Sequence, residues 1–248
     1  MKADPFRQQR LLDLQAIDTR LDQIAHARAH LPQAAQLARA TDAAEVARGN
    51  LVLAETELGD VQREVSRAET EVKQVRDRAE RDRARLDSGT GTSKELLAIQ
   101  QELESLGRRQ ATLEDVELEA MERAEAASAE ADRLRAISDE AAAQVSTLTA
   151  ERDAAMVDLD AEATEVAAGR PAVVEAVGPE LAALFDSIRA AQGGIGAAEL
   201  KGRRCMGCQL ELNAGELGRI ANTPADVVVR CEECERILVR IPSTDGAA

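Results

Sequence analysis

The chain has 248 residues, no Trp, no Tyr and only two Phe, and it carries a net charge of −15 with 31% charged residues. The shortage of aromatics excludes a large globular core of ordinary composition. The acidic balance removes the electrostatic default for a nucleic-acid partner. Ala, Leu, Val, Arg, Glu and Asp dominate, a mix that points to long helices with narrow apolar seams. The charge is unevenly distributed. Residues 1–200 carry 24 basic and 39 acidic groups, whereas residues 201–242 carry 7 and 6, so the C-terminal part is electrically distinct.

The first residues, MKADPFRQQR, lack an apolar core of signal-peptide length. No stretch approaches the roughly 18 apolar residues of a membrane span. A cytoplasmic protein with reduced thiols is therefore expected. Leu14, Ile17, Leu21, Ile24 and Leu31 recur at spacings of three and four, a helical seam that loses phase at Pro32. From there Leu37, Ala44, Leu51, Leu58, Val65, Val72, Ala79 and Leu86 are seven apart, with Ala40, Ala47, Ala54, Val61, Ala68 and Val75 in the companion seam. A seven-residue repeat sustained this far predicts a coiled coil.

The repeat stops at Asp87, before the breaker Ser88-Gly89-Thr90-Gly91-Thr92. Thr92 stands three residues before Glu95, the spacing of a capping box that starts a new helix. Ile99, Leu106, Leu113, Ala120, Ala127, Leu134, Ala141, Leu148 and Ala155 again follow a seven-residue repeat, and Gly169-Arg170-Pro171 predicts the stop. Arms 7–86 and 93–168 are nearly equal in length if the first only kinks at Pro32, each about 115 Å at 1.5 Å per residue. Equal arms around a short polar turn favour an antiparallel hairpin within one chain over a parallel dimer. Gly49, Gly59 and Gly107 are soft points inside the arms. Residues 171–198 read as short helices and a linker. In that segment Leu181, Leu184, Phe185 and Ile188 form an apolar face, and Gln192-Gly193-Gly194-Ile195-Gly196 is a flexible connector.

Cys205-Met206-Gly207-Cys208 and Cys231-Glu232-Glu233-Cys234 are two CxxC turns separated by 22 residues. Such turns can present four thiolates to one tetrahedral Zn²⁺ with no open position, the structural kind of site. An iron–sulfur cluster is the chemical alternative. Val227-Val228-Val229 and Ile237-Leu238-Val239 suit strands flanking the second turn, Leu210 and Leu212 suit a short strand, and Asn213 offers an N-cap for a helix from Ala214 to Ile220. A unit of about 40 residues buries too little surface to fold alone, so metal binding must supply much of its stability. The expected division is a hairpin over 1–170 with its kink near 32 and tip at 87–92, helices and linker over 171–198, a zinc ribbon over 199–242 and a disordered tail over 243–248. The fold class is mostly α, a long antiparallel coiled-coil hairpin followed by a small β-rich C4 zinc ribbon.

With both halves identified, the chain resembles a bacterial family in which a coiled-coil hairpin precedes a C4-type zinc ribbon. The resemblance is carried by the paired CxxC, by Cys234-Glu235-Arg236-Ile237-Leu238, and by Thr92-Ser93-Lys94-Glu95-Leu96 running into Gln101-Glu102-Leu103-Glu104. The family tends to have Pro where Glu232 stands, Gly where Glu235 stands and an aromatic where Val239 stands. It includes flagellar regulators that bind the sigma-54 class of RNA polymerase sigma factor. The resemblance thus implies a protein partner in the transcription machinery.

The remaining candidates are weighed against plainer readings. Arg203, Arg204, Arg219, Arg230, Arg236 and Arg240 are candidate contacts to a partner or to nucleic-acid phosphates. Against nucleic acid stand Glu232, Glu233 and Glu235 and the lack of a stacking aromatic. Thr92, Ser93 and Lys94 at the tip are candidate docking residues, although a capped turn explains them too. The segment Ser88 to Lys94 does not fit a phosphate-binding loop. His26 and His30 lie four apart without an evident third ligand. No nucleophile–base arrangement is present in the sequence, so a non-enzymatic scaffold or adaptor without a small-molecule substrate is expected. Nucleic-acid binding through the ribbon is the alternative.

Overall fold

The computed structural model describes residues 1–241, so the expected disordered tail, 243–248, lies outside the described residues. The chain divides into two compact units, one formed by Met1–Ala34 with the residues from Glu151 onward, the other by Ala35–Ala150. Helix α1 spans Pro5–Ala29, α2 Pro32–Asp87 and α3 Ser93–Val177. These are followed by α4 (Pro179–Ala191), β1 (Ala197–Lys201), β2 (Arg204–Cys205), α5 (Ala214–Asn222), β3 (Val229–Arg230) and β4 (Ile237–Val239). The first arm is two helices rather than one kinked helix. Helix α1 stops at His30, whose N–H bonds back to His26 and Ala27, and Pro32 restarts the chain at a first helical position, where its missing N–H costs nothing.

In the Ala35–Ala150 unit the seven-residue repeat faces inward. Ala40, Ala47, Ala54, Ala68, Val72 and Val75 of α2 are buried, as are Leu106, Ala120 and Ala131 of α3. Every position of the α3 repeat, from Ile99 to Leu148, is buried or half-buried. Ion pairs set the direction: Arg78–Glu102, Arg76–Glu114, Glu64–Arg123 and Glu55–Arg135 lie at 2.6–2.9 Å. As the residue number falls along α2 it rises along α3, so the arms are antiparallel within one chain. Seam alanines allow close approach but bury little area per turn.

The other unit is built around Phe185, which is fully buried. Leu11 and Leu14 of α1, Val177 at the end of α3, Leu181 and Ile188 of α4, Ala197 of β1, and Ile237 and Val239 of β4 surround it. The four strands form one sheet in the order β2-β1-β4-β3, with β1 parallel to β4 and the other pairs antiparallel. The two-residue period of a strand divides the sheet's side chains between two cores. Ile237 and Val239 join the helices, while Leu238 joins Ala198, Cys205, Leu212, Ile220, Val229 and Cys231 on the cysteine side.

Three sequence expectations change here. Gly169-Arg170-Pro171 does not end the helix, since α3 continues to Val177 with Pro171 inside it. An internal proline costs about 3 kcal/mol. Beyond it, Val173, Val174 and Val177 pack on the Phe185 core, and a buried Val contributes about 1.5–3 kcal/mol. Arg170 also anchors the segment, donating to Asp18 at 2.7 and 3.1 Å and to Asp186 at 3.0 Å. Nor is Gln192–Gly196 a loose connector. Gly196 is buried, and a Cβ there would meet the Phe185 carbonyl oxygen at 2.6 Å, so only glycine fits. The strand expected at Leu210–Leu212 is reduced to a single bridge, Arg204 with Glu211.

Candidate metal centre

Each CxxC turn is built by the same backbone pattern. In the first, Cys205 N–H donates to the Leu210 carbonyl (3.0 Å) and Gln209 N–H donates to the Cys205 carbonyl (2.8 Å). In the second, Cys231 N–H donates to the Arg236 carbonyl (3.0 Å) and Glu235 N–H to the Cys231 carbonyl (2.9 Å). The residue after each second cysteine must then turn left-handed: Gln209 has φ 64° and Glu235 φ 58°. Strands β2 and β3 deliver the buried cysteines, Cys205 and Cys231, while Cys208 and Cys234 sit half-exposed at the outer side of the turns.

The turns bring all four Sγ atoms within 4.8 Å of one another. Cys205 and Cys234 are 3.9 Å apart, and Cys208 and Cys231 are 4.0 Å apart. A tetrahedral zinc with Zn–S bonds of about 2.3 Å requires sulfurs about 3.8 Å apart. A disulfide requires about 2.05 Å, so the four cysteines are free thiols arranged as a metal cage. Burial pushes the Cys231 thiol up to about 12 and also raises that of Cys205. Cys234 moves the other way: burial opposes its ionisation, but hydrogen bonds from the Arg236 backbone, the neighbouring thiols and the Arg236 side chain bring it down. A cation among the sulfurs reverses the penalty at the buried pair, because a coordinated thiol is deprotonated.

Helix α5 closes one side. Asn213 caps it, accepting from Glu216 N–H at 2.8 Å, as the sequence predicts. Among the described residues no other cluster of three or more potential ligands forms. His26 and His30 stack on one another with ring centroids 4.1 Å apart.

Comparison with known proteins decides between the chemical alternatives for this cage. A family model described as the CT398-like coiled coil hairpin domain matches residues 14–193, and one described as the C4-type zinc ribbon domain matches residues 204–238. The chain belongs to the CT398-like coiled-coil hairpin family. It is 38% identical over 97% of its length to an uncharacterized protein of Mycobacterium tuberculosis, covering 98% of that relative. To a protein of Mycobacterium leprae it is 30% identical over 88% of this chain and 93% of the other. A solved structure from Mycobacterium smegmatis shares 38% identity with a TM-score of 0.83, over 97% of this chain and all of that one. CT398 from Chlamydia trachomatis shares the fold at 17% identity and a TM-score of 0.60, over 95% and 98% of the two chains. With the cage geometry, the zinc-ribbon match assigns Cys205, Cys208, Cys231 and Cys234 to one structural Zn²⁺.

The other candidate residues are not gathered into one face. Arg236 turns inward, donating to the carbonyls of Ile195 (3.0 Å) and Gln192 (2.7 Å). Arg240 donates to the carbonyls of Thr223 (2.8 Å), Pro224 (3.0 Å), Ala225 (3.1 Å) and Val227 (2.7 Å). Arg219 pairs with Glu232 at 2.5 Å, Arg230 with the Glu235 carbonyl at 2.7 Å, and Arg204 with Glu211 at 3.6 Å. Arg203 is exposed. At the hairpin tip, Thr92 and Glu95 form the capping box: Thr92 N–H donates to Glu95 Oε2 at 2.7 Å and Glu95 N–H to Thr92 Oγ1 at 3.3 Å. The Thr92 backbone N–H, and its hydroxyl at 2.9 Å, both donate to Glu95 Oε2 and lower the Glu95 carboxyl below its ordinary value. Ser93 and Lys94 are exposed beside it, as is Leu97. Sequence reasoning missed strand β1, and it missed the buried polar side chains Gln8, Gln15, Asp18 and Glu216. Gln8, Leu11, Gln15 and Asp18 share the helical spacing of a buried face, which was the available signal.

Proposed function

We propose that this chain is a non-enzymatic cytoplasmic adaptor: a zinc-stabilised ribbon and a helical hairpin that both present surface to protein partners, among them a component of the transcription machinery. The observation that carries the reading is the closed cage. Four thiolates fill a tetrahedral ion and leave no position for substrate or water, which supports a structural role for the metal over a catalytic one. Exposed apolar side chains on the first turn, Met206 and Leu210, give the ribbon a protein-like contact surface. The tip residues Thr92, Ser93 and Lys94, next to exposed Leu97, offer a second docking point. The transcription link rests on family resemblance. Consistent with a cytoplasmic place, none of the described helices is long and apolar enough to cross a membrane.

The inward hydrogen bonds of Arg236 and Arg240 weigh against the nucleic-acid reading, since those guanidinium groups are committed to backbone carbonyls. The test is affinity capture with wild type and with a Cys205→Ser/Cys231→Ser double variant, each with and without nuclease, followed by rebinding of the purified partner. A partner that survives nuclease and needs the ribbon supports the adaptor. A partner lost on nuclease treatment transfers the function to nucleic-acid binding.

A further inference from the structure

The side chain of Glu216 stands out because it is charged, only 3% exposed, and placed where a capping box would use it differently. It is the third residue of α5, three after the Asn213 cap, the position from which a carboxylate ordinarily folds back to the cap's own N–H. Here it reaches out of its helix instead. Oε1 accepts the backbone N–H of Glu232 at 3.0 Å, inside the second cysteine turn and directly after Cys231. Oε2 is buried with no hydrogen-bond partner. A half-satisfied buried carboxylate is costly, and a tetrathiolate zinc centre, with its net charge of −2, adds repulsion. A carboxylate buried in this way calls for a structural return, and the bond to the cysteine turn supplies one.

The geometry points to Glu216 as a positioning residue of the zinc site, a tie that fixes the Cys231–Cys234 turn against α5 and thereby sets how fast the ribbon gives up its metal. The inference rests on the assignment of zinc to the four cysteines and is independent of any partner. Partners outside the ligand shell orient metal ligands, and losing one typically weakens metal retention by about 10- to 100-fold. Glu216 holds the backbone of the turn rather than a sulfur, so its effect is on the turn's orientation. A second contact between the same two elements, the exposed Arg219–Glu232 ion pair, supplies an internal control.

The experiment uses the zinc-loaded full chain and follows zinc transfer to a colorimetric chelator by stopped flow for wild type, Glu216→Ala, Glu216→Gln and Arg219→Ala. Glu216→Ala should release zinc at least about 10-fold faster. Glu216→Gln, which keeps an accepting oxygen and removes the charge, should stay within about three-fold of wild type, and Arg219→Ala within about two-fold. Amide exchange provides a readout that survives a poorly folding variant: in wild-type holo-protein the Glu232 N–H should be protected to the level of the neighbouring sheet. Release from Glu216→Ala at the wild-type rate, release from Glu216→Gln as fast as from the alanine variant, or an unprotected Glu232 amide would each overturn the assignment. Purified protein that carries no zinc would sink the underlying metal assignment instead, which separates the two failures.

Discussion

Gln15, in the middle of the first helix, accepts the backbone N–H of Gly196 at 2.7 Å and donates to the carbonyl of Gly194 at 2.9 Å. One side chain thus satisfies both directions of a backbone turn some 180 residues further along the chain. That turn is where α4 hands over to β1, and Gly196 has no room for a side chain against Phe185. The handover explains how a segment with three glycines in five residues is fixed in place. Replacing Gln15 with Leu leaves the buried Gly196 N–H unpaired, which costs about 1–3 kcal/mol. Urea denaturation should show that loss, and a variant as stable as wild type would mean that the turn holds without it.

Asp18 lies one turn further along α1, with its side chain 4% exposed, and accepts two hydrogen bonds from Arg170 while lying 3.5 Å from Arg189. Removing the carboxylate leaves two guanidinium groups facing a partly buried space. Arg170 is a third exposed, so the cost falls below that of a fully buried pair. Asp18→Ala should lose about 2 kcal/mol, with Asp18→Asn intermediate. The same substitution should loosen the end of α3 beyond Pro171, visible as faster amide exchange over Val173–Val177.

Gly49 and Gly107 sit inside long helices, and a Cβ at either would meet nothing within 4 Å. Alanine at each should therefore stabilise the hairpin unit by up to about 1 kcal/mol, from helix propensity and the reduced freedom of the unfolded chain. Thermal unfolding of the single and double variants checks both the sign and the additivity. A destabilised Gly49→Ala would point to a contact on that surface outside this chain.

Glu235 follows the second pair of ligands in a left-handed conformation, φ 58°. Left-handed backbone costs a non-glycine residue about 1–2 kcal/mol. Its carbonyl, not its side chain, makes the short bond to Arg230, and the carboxylate lies 3.5 Å away. Glu235→Gly should stabilise the zinc-loaded ribbon by about 1 kcal/mol, read as a higher denaturation midpoint at saturating zinc.

Zinc removal should act beyond the ribbon. Ile237 and Val239 of β4 belong to the Phe185 core, while Leu238 between them belongs to the cysteine side, so loss of the metal loosens a strand shared by both cores. Chelation should raise exchange along α4 and β1 while the α2–α3 pairing over Ala35–Ala150 keeps its helical circular dichroism. The pH dependence follows from the thiols. Burial raises Cys205, and raises Cys231 to about 12, so both are protonated near neutrality before metal enters. Loading must displace those protons, so apparent zinc affinity should fall as pH falls and proton release should accompany binding. Competition titrations at several pH values would show a flat profile only if the buried thiols were already ionised.

The seven-residue spacing from Leu37 to Leu86 and from Ile99 onward was enough to place both arms and their turn, because a helix seam is a local, periodic property of the chain. The two CxxC turns were equally legible: their backbone geometry is local, and four thiolates within reach of one another leave few chemical choices. The Asn213 cap and the Thr92–Glu95 capping box were readable for the same reason, each spanning only three residues.

What the chain's own order could not reveal were the relations set by distant segments. Pro171 reads locally as a helix stop, yet the valines beyond it find the Phe185 core and the helix continues. Ala197–Lys201 carries no strand pattern of its own, and it becomes a strand because β4 lies parallel beside it. Arg236 and Arg240 read as free cations until their carbonyl partners, 13 to 44 residues away, are in place. Local periodicity and short-range chemistry determined the hairpin and the metal cage. Long-range burial and the need to pair every buried polar group decided how the helical base, the sheet and the second cysteine turn are joined.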